Sequence, residues 1–235
     1  MTPRLRTPIS RRERPAKPAL TRDGIVAAAV TLMRAQGLEK VTMRRLAQEL
    51  DTGPASLYVY VASTAELHAA VLDELLGEVD RDPAGGQGDW RERLAGVLTS
   101  YTEMLFEHPA LARSALTARP SGEHYLRLLE RLLALLDEGG VPPVQAAWGV
   151  DVLLQSATAT AAEQSARGQS IHAEEEWDAL SRTLHQASGE THPHVHAVAG
   201  SLLAGSPEDR MSWCFRMLIN GITSTPAPDT GRAGR

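Results

Sequence analysis

The sequence predicts an all-α protein in which a small N-terminal helix-turn-helix domain precedes a larger helical C-terminal domain. Apolar residues recur at intervals of three and four along most of the 235 residues, and no run reads as a paired strand. Aromatic residues make up only 4% of the chain, whereas Ala and Leu are abundant, as is typical of helix-on-helix packing. We expect a basic arm at residues 1–20, the first domain at 21–79, the second at 80–222 and a tail at 223–235.

Two helices are predicted at the borders of the first domain. The run LTRDGIVAAAVTLMRAQG, residues 20–37, has apolar side chains at helical spacing, and Gly37 suits the residue that ends a helix. Ser63 and Glu66 have the spacing of a capping box, in which each residue satisfies a backbone N–H near the start of a helix. We therefore expect a further helix from Ser63 to about Val79.

The run TMRRLAQELDTGPASLYVYV, residues 42–61, reads as a helix, a tight turn and a second helix. The first helix would extend from Thr42 to Leu50, and Gly53 would allow the sharp turn after it. Pro54 suits the first turn of the second helix, where no backbone N–H is needed.

The second helix of this motif would display Ser56, Tyr58 and Tyr60, with Leu57 and Val61 facing inward. In a helix-turn-helix the second helix enters the DNA major groove while the first crosses the backbone. The motif therefore predicts a sequence-specific DNA-binding protein. A plain helical hairpin that binds no DNA is the alternative.

The charge distribution favours DNA binding by the N-terminal end. Residues 1–60 carry eleven Arg and Lys against five Asp and Glu, a net +6, whereas residues 61–235 carry a net −11. A basic end attracts phosphates and an acidic body repels them. Within the arm, Arg11, Arg12 and Arg14 could enter a minor groove or follow phosphates, or the arm could be a solvated tail without a role.

Residues 20–79 resemble the N-terminal domain of the tetracycline repressor (TetR) family. The resemblance depends on a set of residues that is specific as a whole: Gly37, Thr42, Arg44, Leu46, Ala47, Leu57, Tyr58, Val61 and Leu67. The C-terminal part is similar to the regulatory domain of the tetracycline repressor. The matching residues there are Trp90, Arg119-Pro120, Tyr125, Gly140 and Glu163. The resemblance covers residues 20–168 well and the remainder weakly.

The resemblance implies which residues contact DNA. Arg44 is the best candidate to read a base, since Arg can bond bidentately to guanine. Its neighbour Arg45 would reach phosphate or solvent. The remaining candidates offer hydroxyl groups to bases or phosphates: Thr42, Ser56, Tyr58, Tyr60 and Thr64.

Two positions depart from the family pattern. Pro54 replaces a polar base-reading residue, so the operator should differ from that of the tetracycline repressor. Thr64 replaces a phosphate-binding Lys, so affinity should depend more on the arm.

The second domain is predicted to consist of successive helices. They would cover Trp90–His108, Ala110–Leu116, Gly122–Gly139, Pro142–Gly168 and a last helix capped by Ser206. In the family, the equivalents of the last two form a four-helix dimer interface, so the resemblance implies a homodimer. The small residues from Ser156 to Ala162 would suit a packed interface, or else ordinary packing within one chain.

The resemblance also implies a ligand cavity in the second domain. Candidate lining residues are Tyr101, Met104, Leu105, Arg119, Tyr125, Leu129, Trp148, Gln155 and Trp177. Ala115 replaces a metal-liganding His of the tetracycline repressor, and Val79, Val97, Ala118 and Arg131 replace other tetracycline contacts. A magnesium–tetracycline complex is therefore not expected even though Glu163 remains. An apolar cavity with few polar groups suits a drug-sized, partly aromatic molecule.

Other functions are less well supported by the sequence. His192, His194 and His196 lie around Pro193 with no Cys nearby, so we expect no metal site, and we expect no cofactor. No nucleophile elbow and no glycine-rich phosphate loop is present, which argues against an enzyme. There is no apolar run long enough to span a membrane and no signal peptide, and the single Cys214 forbids an internal disulfide, so we expect a cytoplasmic location.

The sequence thus predicts a ligand-responsive, dimeric transcriptional repressor that binds a palindromic operator and is released by a small molecule. A transcriptional activator or a regulator gated by a partner protein remains an alternative. From another class, a small-molecule-binding protein or enzyme with a vestigial DNA-binding domain is also open.

Overall fold

The computed structural model describes residues 19–82, 85–117 and 120–228. Arg11, Arg12 and Arg14 of the predicted arm lie outside the described residues, as do Ala118 and Arg119. Over the described ranges the chain forms helices and no strands, which confirms the predicted all-α class. None of the described helices is both long and apolar enough to cross a membrane.

The described N-terminal residues, 19–82, form four α-helices. They are α1 (Arg22–Gln36), α2 (Met43–Glu49), α3 (Pro54–Leu57) and α4 (Thr64–Leu76), with a short 3-10 turn at Leu38–Lys40 before α2. The remainder contains α5 (Trp90–Glu107), α6 (Pro109–Ala115), α7 (Glu123–Glu138), α8 (Pro143–Gln169), α9 (Ala173–His185), α10 (Pro193–Leu203) and α11 (Pro207–Ser224). The predicted helices agree with these bounds within a few residues, but α9 and α10 were not predicted.

The N-terminal helices share a core of fully buried aliphatic side chains. Ile25 of α1, Leu46 of α2, Leu57 of α3 and Leu67 of α4 all have an exposed fraction of 0%. Because each helix contributes to this one cluster, burial of apolar area fixes their mutual orientation. The turn between α2 and α3 contains Asp51, the only described residue other than glycine with a positive φ, at 47°.

The capping box predicted at the start of α4 forms only in part. The Ser63 hydroxyl accepts the N–H of Glu66 at 3.1 Å, as expected. The Glu66 carboxylate accepts the N–H of Ala62 at 2.7 Å, one residue before Ser63, whose N–H a complete capping box would use. The start of α11 does have a complete capping box, formed by Ser206 and Asp209.

The C-terminal body is built around α8, which packs against α5, α6, α7 and α11. The small residues at its centre were expected to suit an interface, but Ala157 and Ala161 are fully buried within this chain. Their small side chains allow α5 and α6 to approach α8 closely, so this part of the prediction is corrected to packing inside the body. The hairpin of α9 and α10 packs mainly on itself, and α9 has no buried residue.

Candidate DNA-binding surface and ligand cavity

Arg44 and Arg45 are neighbours on α2 but have different surroundings. Arg44 is exposed, and its guanidinium makes no hydrogen bond or ion pair with another described residue. Arg45 is half-buried, and its guanidinium lies 3.2 Å from the Glu49 carboxylate one turn along the helix. Thr42 caps α2, since its hydroxyl accepts the N–H of Arg45 at 3.2 Å. Arg44 is therefore the side chain on α2 that is available to an outside partner.

The second helix of the motif is shorter than predicted. Helix α3 has a single turn, and the chain continues in turns in which the N–H groups of Tyr60 and Val61 both donate to the Leu57 carbonyl. The predicted facing of the side chains nevertheless holds, because Leu57 and Val61 are fully buried while Tyr58 is 52% exposed and Tyr60 is 37% exposed. Ser56 is also exposed.

Val59 is a surface residue that sequence reasoning missed. Its side chain is 80% exposed and lies between the exposed Tyr58 and Tyr60. An exposed β-branched side chain in this place is suited to contact a thymine methyl group. The sequence contained a signal for this exposure, because a helix that buries Leu57 and Val61 on one face places Val59 on the opposite, exposed face. Thr64, the first residue of α4, is exposed beside this surface.

A cavity of about 550 Å³ opens between α4 and helices α5, α6, α7 and α8 of the C-terminal body. Its lining residues are Leu72, Leu76, Tyr101, Ala115, Leu116, Thr117, Pro120, Tyr125, Asp151, Leu154, Gln155, Thr158 and Ala159. Three of the nine predicted ligand residues are therefore brought together here, namely Tyr101, Tyr125 and Gln155. The volume suits a drug-sized molecule.

Four of the polar side chains that line the cavity form two hydrogen-bonded pairs. The Tyr101 hydroxyl lies 2.7 Å from the Thr158 hydroxyl, and both side chains are buried. Burial raises the pKa of Tyr101 above its ordinary value of 10.0; the hydrogen bond between Tyr101 and Thr158 opposes this shift, and Tyr125 adds to it. Gln155 donates to the Asp151 carboxylate at 2.7 Å. Two hydroxyls that share one hydrogen bond still have a proton left to donate to a ligand oxygen.

The other predicted ligand residues lie elsewhere. Met104 and Leu105 are buried in the core of the body, and Leu129 packs against that core. Trp148 lines a separate groove between α8 and α11, and Trp177 is on α9. Helical periodicity did not distinguish residues that face the core from those that face the cavity, because both are apolar. Arg119 lies outside the described residues.

An apolar face runs along the outer side of α8 and α11. Its exposed side chains are Val144, Trp148, Val152, Trp213 and Met217. The two helices approach closely at Gly149, where an added Cβ would lie 2.9 Å from the Ile222 side chain. Burial of this face against a partner would be favourable, because exposed apolar patches of this kind mark interaction sites.

The three histidines of the sequence THPHVH do not converge. His196 pairs through Nδ1 with the Ala187 carbonyl at 3.0 Å, and His192 pairs with the Thr191 hydroxyl at 2.9 Å. Across the described residues, no group of three or more His, Cys, Asp or Glu side chains is placed to hold a metal ion. Glu163 instead pairs with Arg167 at 2.6 Å on α8.

A helix-turn-helix joined through α4 to a cavity-bearing helical body defines a DNA-binding regulator with a sensor domain. Two family models match the chain: "Bacterial regulatory proteins, tetR family" over residues 25–71, and "Tetracyclin repressor-like, C-terminal domain" over residues 82–225. The chain therefore belongs to the TetR family of transcriptional regulators, whose characterised relatives here are regulators and not enzymes.

Several proteins of the family are similar to this chain. The repressor DrrR1 of Streptomyces coeruleorubidus is 34% identical over 131 residues, which cover 56% of this chain and 48% of that protein. The chain spans about half the length of the curated relatives it matches first. The class D tetracycline repressor of Escherichia coli is 29% identical over 52% of this chain and 56% of its own.

Solved structures match a larger share of the chain. The transcription regulator SCO7704 from Streptomyces is 63% identical, with a TM-score of 0.76 over 92% of this chain and 100% of its own. ActR of Streptomyces coelicolor in complex with actinorhodin is 35% identical, with a TM-score of 0.76 over 87% of this chain and 96% of its own.

Proposed function

We propose that this protein is a dimeric repressor that binds a palindromic DNA operator and is released by a small, partly aromatic molecule. The observation that carries the proposal is the arrangement of α4. It packs against α1 in the DNA-binding domain, and its Leu72 and Leu76 form part of the cavity wall. A ligand in the cavity therefore touches the same helix that positions the DNA-binding motif.

The DNA contacts proposed are those of the exposed N-terminal surface. Arg44 reads a base, most simply guanine through O6 and N7, while Thr42 and Arg45 stay close to the backbone. Ser56, Tyr58, Tyr60 and Thr64 offer hydroxyl groups to bases or phosphates. Arg11, Arg12 and Arg14 add electrostatic affinity through the arm. Because its target is chromosomal DNA, the protein would act in the bacterial cytoplasm.

The dimer proposed uses the outer face of α8 and α11. A second copy would cover the apolar side chains of this face, among them Trp148 and Met217. Two DNA-binding domains related by a twofold axis read a palindrome whose half-sites are spaced by the helical repeat of DNA. Trp177 lies on the α9–α10 hairpin, which packs mainly on itself, so it contributes to a ligand site only if the hairpin covers the cavity of the partner.

The ligand proposed is a planar or partly aromatic molecule with ring oxygens. The cavity wall combines apolar side chains, such as Leu72 and Leu154, with polar groups that are hydroxyls, an amide and one carboxylate. Such groups complement hydroxyl and carbonyl oxygens better than they complement a highly charged molecule. The likeness to ActR, which is solved with actinorhodin and with (S)-DNPA, supports this class of ligand.

The first test is selection of bound duplexes from a random pool by the purified protein at a stated salt concentration. Recovery of a palindrome supports a dimeric operator reader. Failure to enrich any sequence, from protein shown to be folded, overturns the proposal.

The recovered duplex then serves as the probe for ligands. Actinorhodin and (S)-DNPA, followed by a set of aromatic metabolites, are added to the labelled complex, and release is followed by fluorescence anisotropy. A transcription assay on a promoter that contains the operator separates repression from activation, since the two predict opposite changes in transcript.

A further inference from the structure

The N-terminus of α7 lacks a capping side chain of its own. The residue before the helix is Gly122, which has no side chain that could accept an N–H of the first turn. Unpaired N–H groups in the first turn of a helix are normally satisfied by the side chain at this position. One of them, the N–H of Tyr125, is instead satisfied from another helix. It donates to the Asp73 carboxylate of α4 at 3.0 Å.

Two glycines allow this close approach of α7 to α4. A Cβ added to Gly122 would lie 2.0 Å from the Asp73 carboxylate, a distance that no real side chain could keep. A Cβ added to Gly77, just after α4, would lie 2.8 Å from the His124 ring. The contact of Asp73 with the start of α7 therefore depends on the absence of a side chain at Gly122, while Gly77 leaves room for the His124 ring of α7 beside α4.

The residues on both sides of this contact form part of the cavity wall. On α4, Leu72 and Leu76 flank Asp73 in the helix and line the cavity. On α7, Tyr125 lines the cavity through its side chain while its backbone N–H bonds to Asp73. A ligand that separates α4 from α7 must therefore lengthen or break this hydrogen bond.

On its other side, α4 is held to the DNA-binding domain. It packs against α1, and Arg34 of α1 pairs with Glu78 just after α4. A change in the orientation of α4 would therefore move the helix-turn-helix motif, because the two are packed together.

We propose that Asp73 couples the cavity to DNA affinity, by capping α7 from α4 in the DNA-binding arrangement and losing that bond when a ligand separates the two helices. The inference rests on the proposed function and adds to it the contact through which the sites communicate. Coupling is reciprocal, so operator binding must in turn stabilise the bond between Asp73 and the Tyr125 N–H. This consequence can be measured without any small molecule.

The experiment uses the full chain and the operator duplex recovered from the random pool. Hydrogen exchange is measured at the amides of residues 123–126 with and without the duplex, and operator affinity is measured by anisotropy at one salt concentration. In the wild type, the duplex is expected to slow exchange of the Tyr125 amide about fivefold or more.

Four variants separate coupling from general damage. Asp73→Ala removes the acceptor, and Gly122→Ala displaces the carboxylate while leaving it in the chain. Both are expected to weaken operator binding about fivefold or more and to abolish the slowing of exchange. Asp73→Asn keeps an acceptor oxygen and should be intermediate. Glu74→Ala loses the same charge at the next residue, whose side chain makes no hydrogen bond or ion pair with a described residue, and should behave as the wild type.

The outcomes distinguish the inference from the function on which it rests. If the wild type binds the duplex but exchange at residues 123–126 does not change, the inference is overturned and the proposed function stands. If no duplex is bound at all, both are overturned. Should Asp73→Ala or Gly122→Ala fail to fold, the wild type still decides, because slowing of exchange at the Tyr125 amide by the duplex supports the inference and its absence overturns it.

Discussion

The DNA-binding surface and the ligand cavity are encoded in different ways. The surface is formed by consecutive residues of one motif, and its main side chains lie between Thr42 and Thr64. The cavity is assembled from five helices and the segment between α6 and α7, with lining residues from Leu72 to Ala159. A surface made by a local motif can be inferred from spacing alone, whereas a cavity requires knowledge of which helix faces pack together.

The polar groups of the two regions also differ in whether they have partners. The Arg44 guanidinium bonds to no other described residue, so it gains its hydrogen bonds only from an outside partner. In the cavity, Tyr101 pairs with Thr158 and Asp151 pairs with Gln155. A ligand oxygen can accept the proton that the Tyr101–Thr158 pair has left to donate, whereas a ligand that breaks this pair without replacing it leaves buried hydroxyls unpaired at a cost of about 1–3 kcal/mol each.

The largest expected effect comes from a substitution in the proposed dimer interface, which would affect the DNA-binding surface and the ligand cavity together. Met217→Glu places a charge in the apolar face of α8 and α11, twice in a symmetric dimer. Removing an unpaired charge from water costs several kcal/mol, so the dimer dissociation constant should rise about a thousandfold or more. Sedimentation velocity measures this directly.

The matched control for the dimer test is Ala134→Glu on the exposed side of α7. It adds the same charge outside the proposed interface and should leave the sedimentation coefficient unchanged. A Met217→Glu protein that stays dimeric at low micromolar concentration would show that the proposed interface is wrong.

The next largest effect should separate the two regions. Arg44→Ala is expected to weaken operator binding about a hundredfold or more, since each lost base contact costs about 1–3 kcal/mol and a dimer loses two. The melting temperature and any binding in the cavity should not change, because Arg44 is exposed on α2. Anisotropy titration at fixed salt provides the measurement.

Arg45→Ala is the matched control, because Arg45 already pairs with Glu49 on the same helix. It should weaken operator binding far less than Arg44→Ala does. Equal losses from the two variants would mean that neither reads a base and that both act through charge.

Much of the fold could be predicted from the sequence, because its signals are local. Helix starts at Thr21, Thr42, Ser63 and Ser206 each have a side chain that accepts a backbone N–H nearby. Helix α9 was missed although its first turn holds three Glu residues, a helix-start signal. It buries nothing, so its apolar pattern gave no evidence of a packed face.

The candidate site could be predicted only in part. Leu57 and Val61 had to face inward, and this placed Tyr58 and Tyr60 outside. For the cavity, neither Trp148 nor Met104 could be assigned to the correct face of its helix, because apolar residues line the core, the outer face and the cavity alike. Asp73 gave no sequence signal, since its partner is 52 residues away along the chain.

A smaller effect tests how much of the affinity of the DNA-binding surface comes from charge. Thr64→Lys adds a cation at the exposed start of α4, where the family resemblance places a phosphate contact. Each additional phosphate that is neutralised makes the slope of log K against log salt concentration steeper by about 0.9. The slope for a dimer, which carries two new Lys residues, should therefore steepen by about 1.8. Operator affinity measured at four or more salt concentrations gives the slope.

Thr64→Gln is the control for side-chain length without charge, and it should leave the slope unchanged. A slope that is the same for Thr64→Lys and the wild type would place residue 64 out of reach of the phosphates. It would also leave the basic arm as the main electrostatic contribution.

The smallest expected effect concerns the cavity alone and depends on pH. Burial holds the pKa of Tyr101 above its ordinary value of 10.0, so the folded protein keeps the phenol proton after the unfolded chain has lost it. The unfolded state therefore binds fewer protons above about pH 10, and the free energy of unfolding should fall as the pH rises through this range. Tyr101→Phe removes this contribution, so its stability should decline less steeply between pH 9 and 11.

Urea denaturation at several pH values measures both consequences of Tyr101→Phe. At pH 8 the variant should be less stable by about 1 kcal/mol, because the buried Thr158 hydroxyl loses its partner. Thr158→Val is the control: it removes the same hydrogen bond but keeps the buried phenol, so its stability should still fall steeply above about pH 10. If the free energies of unfolding of Tyr101→Phe and the wild type decline in parallel with pH, the Tyr101 phenol is in contact with water. The cavity is then more open than its buried hydroxyl pair indicates.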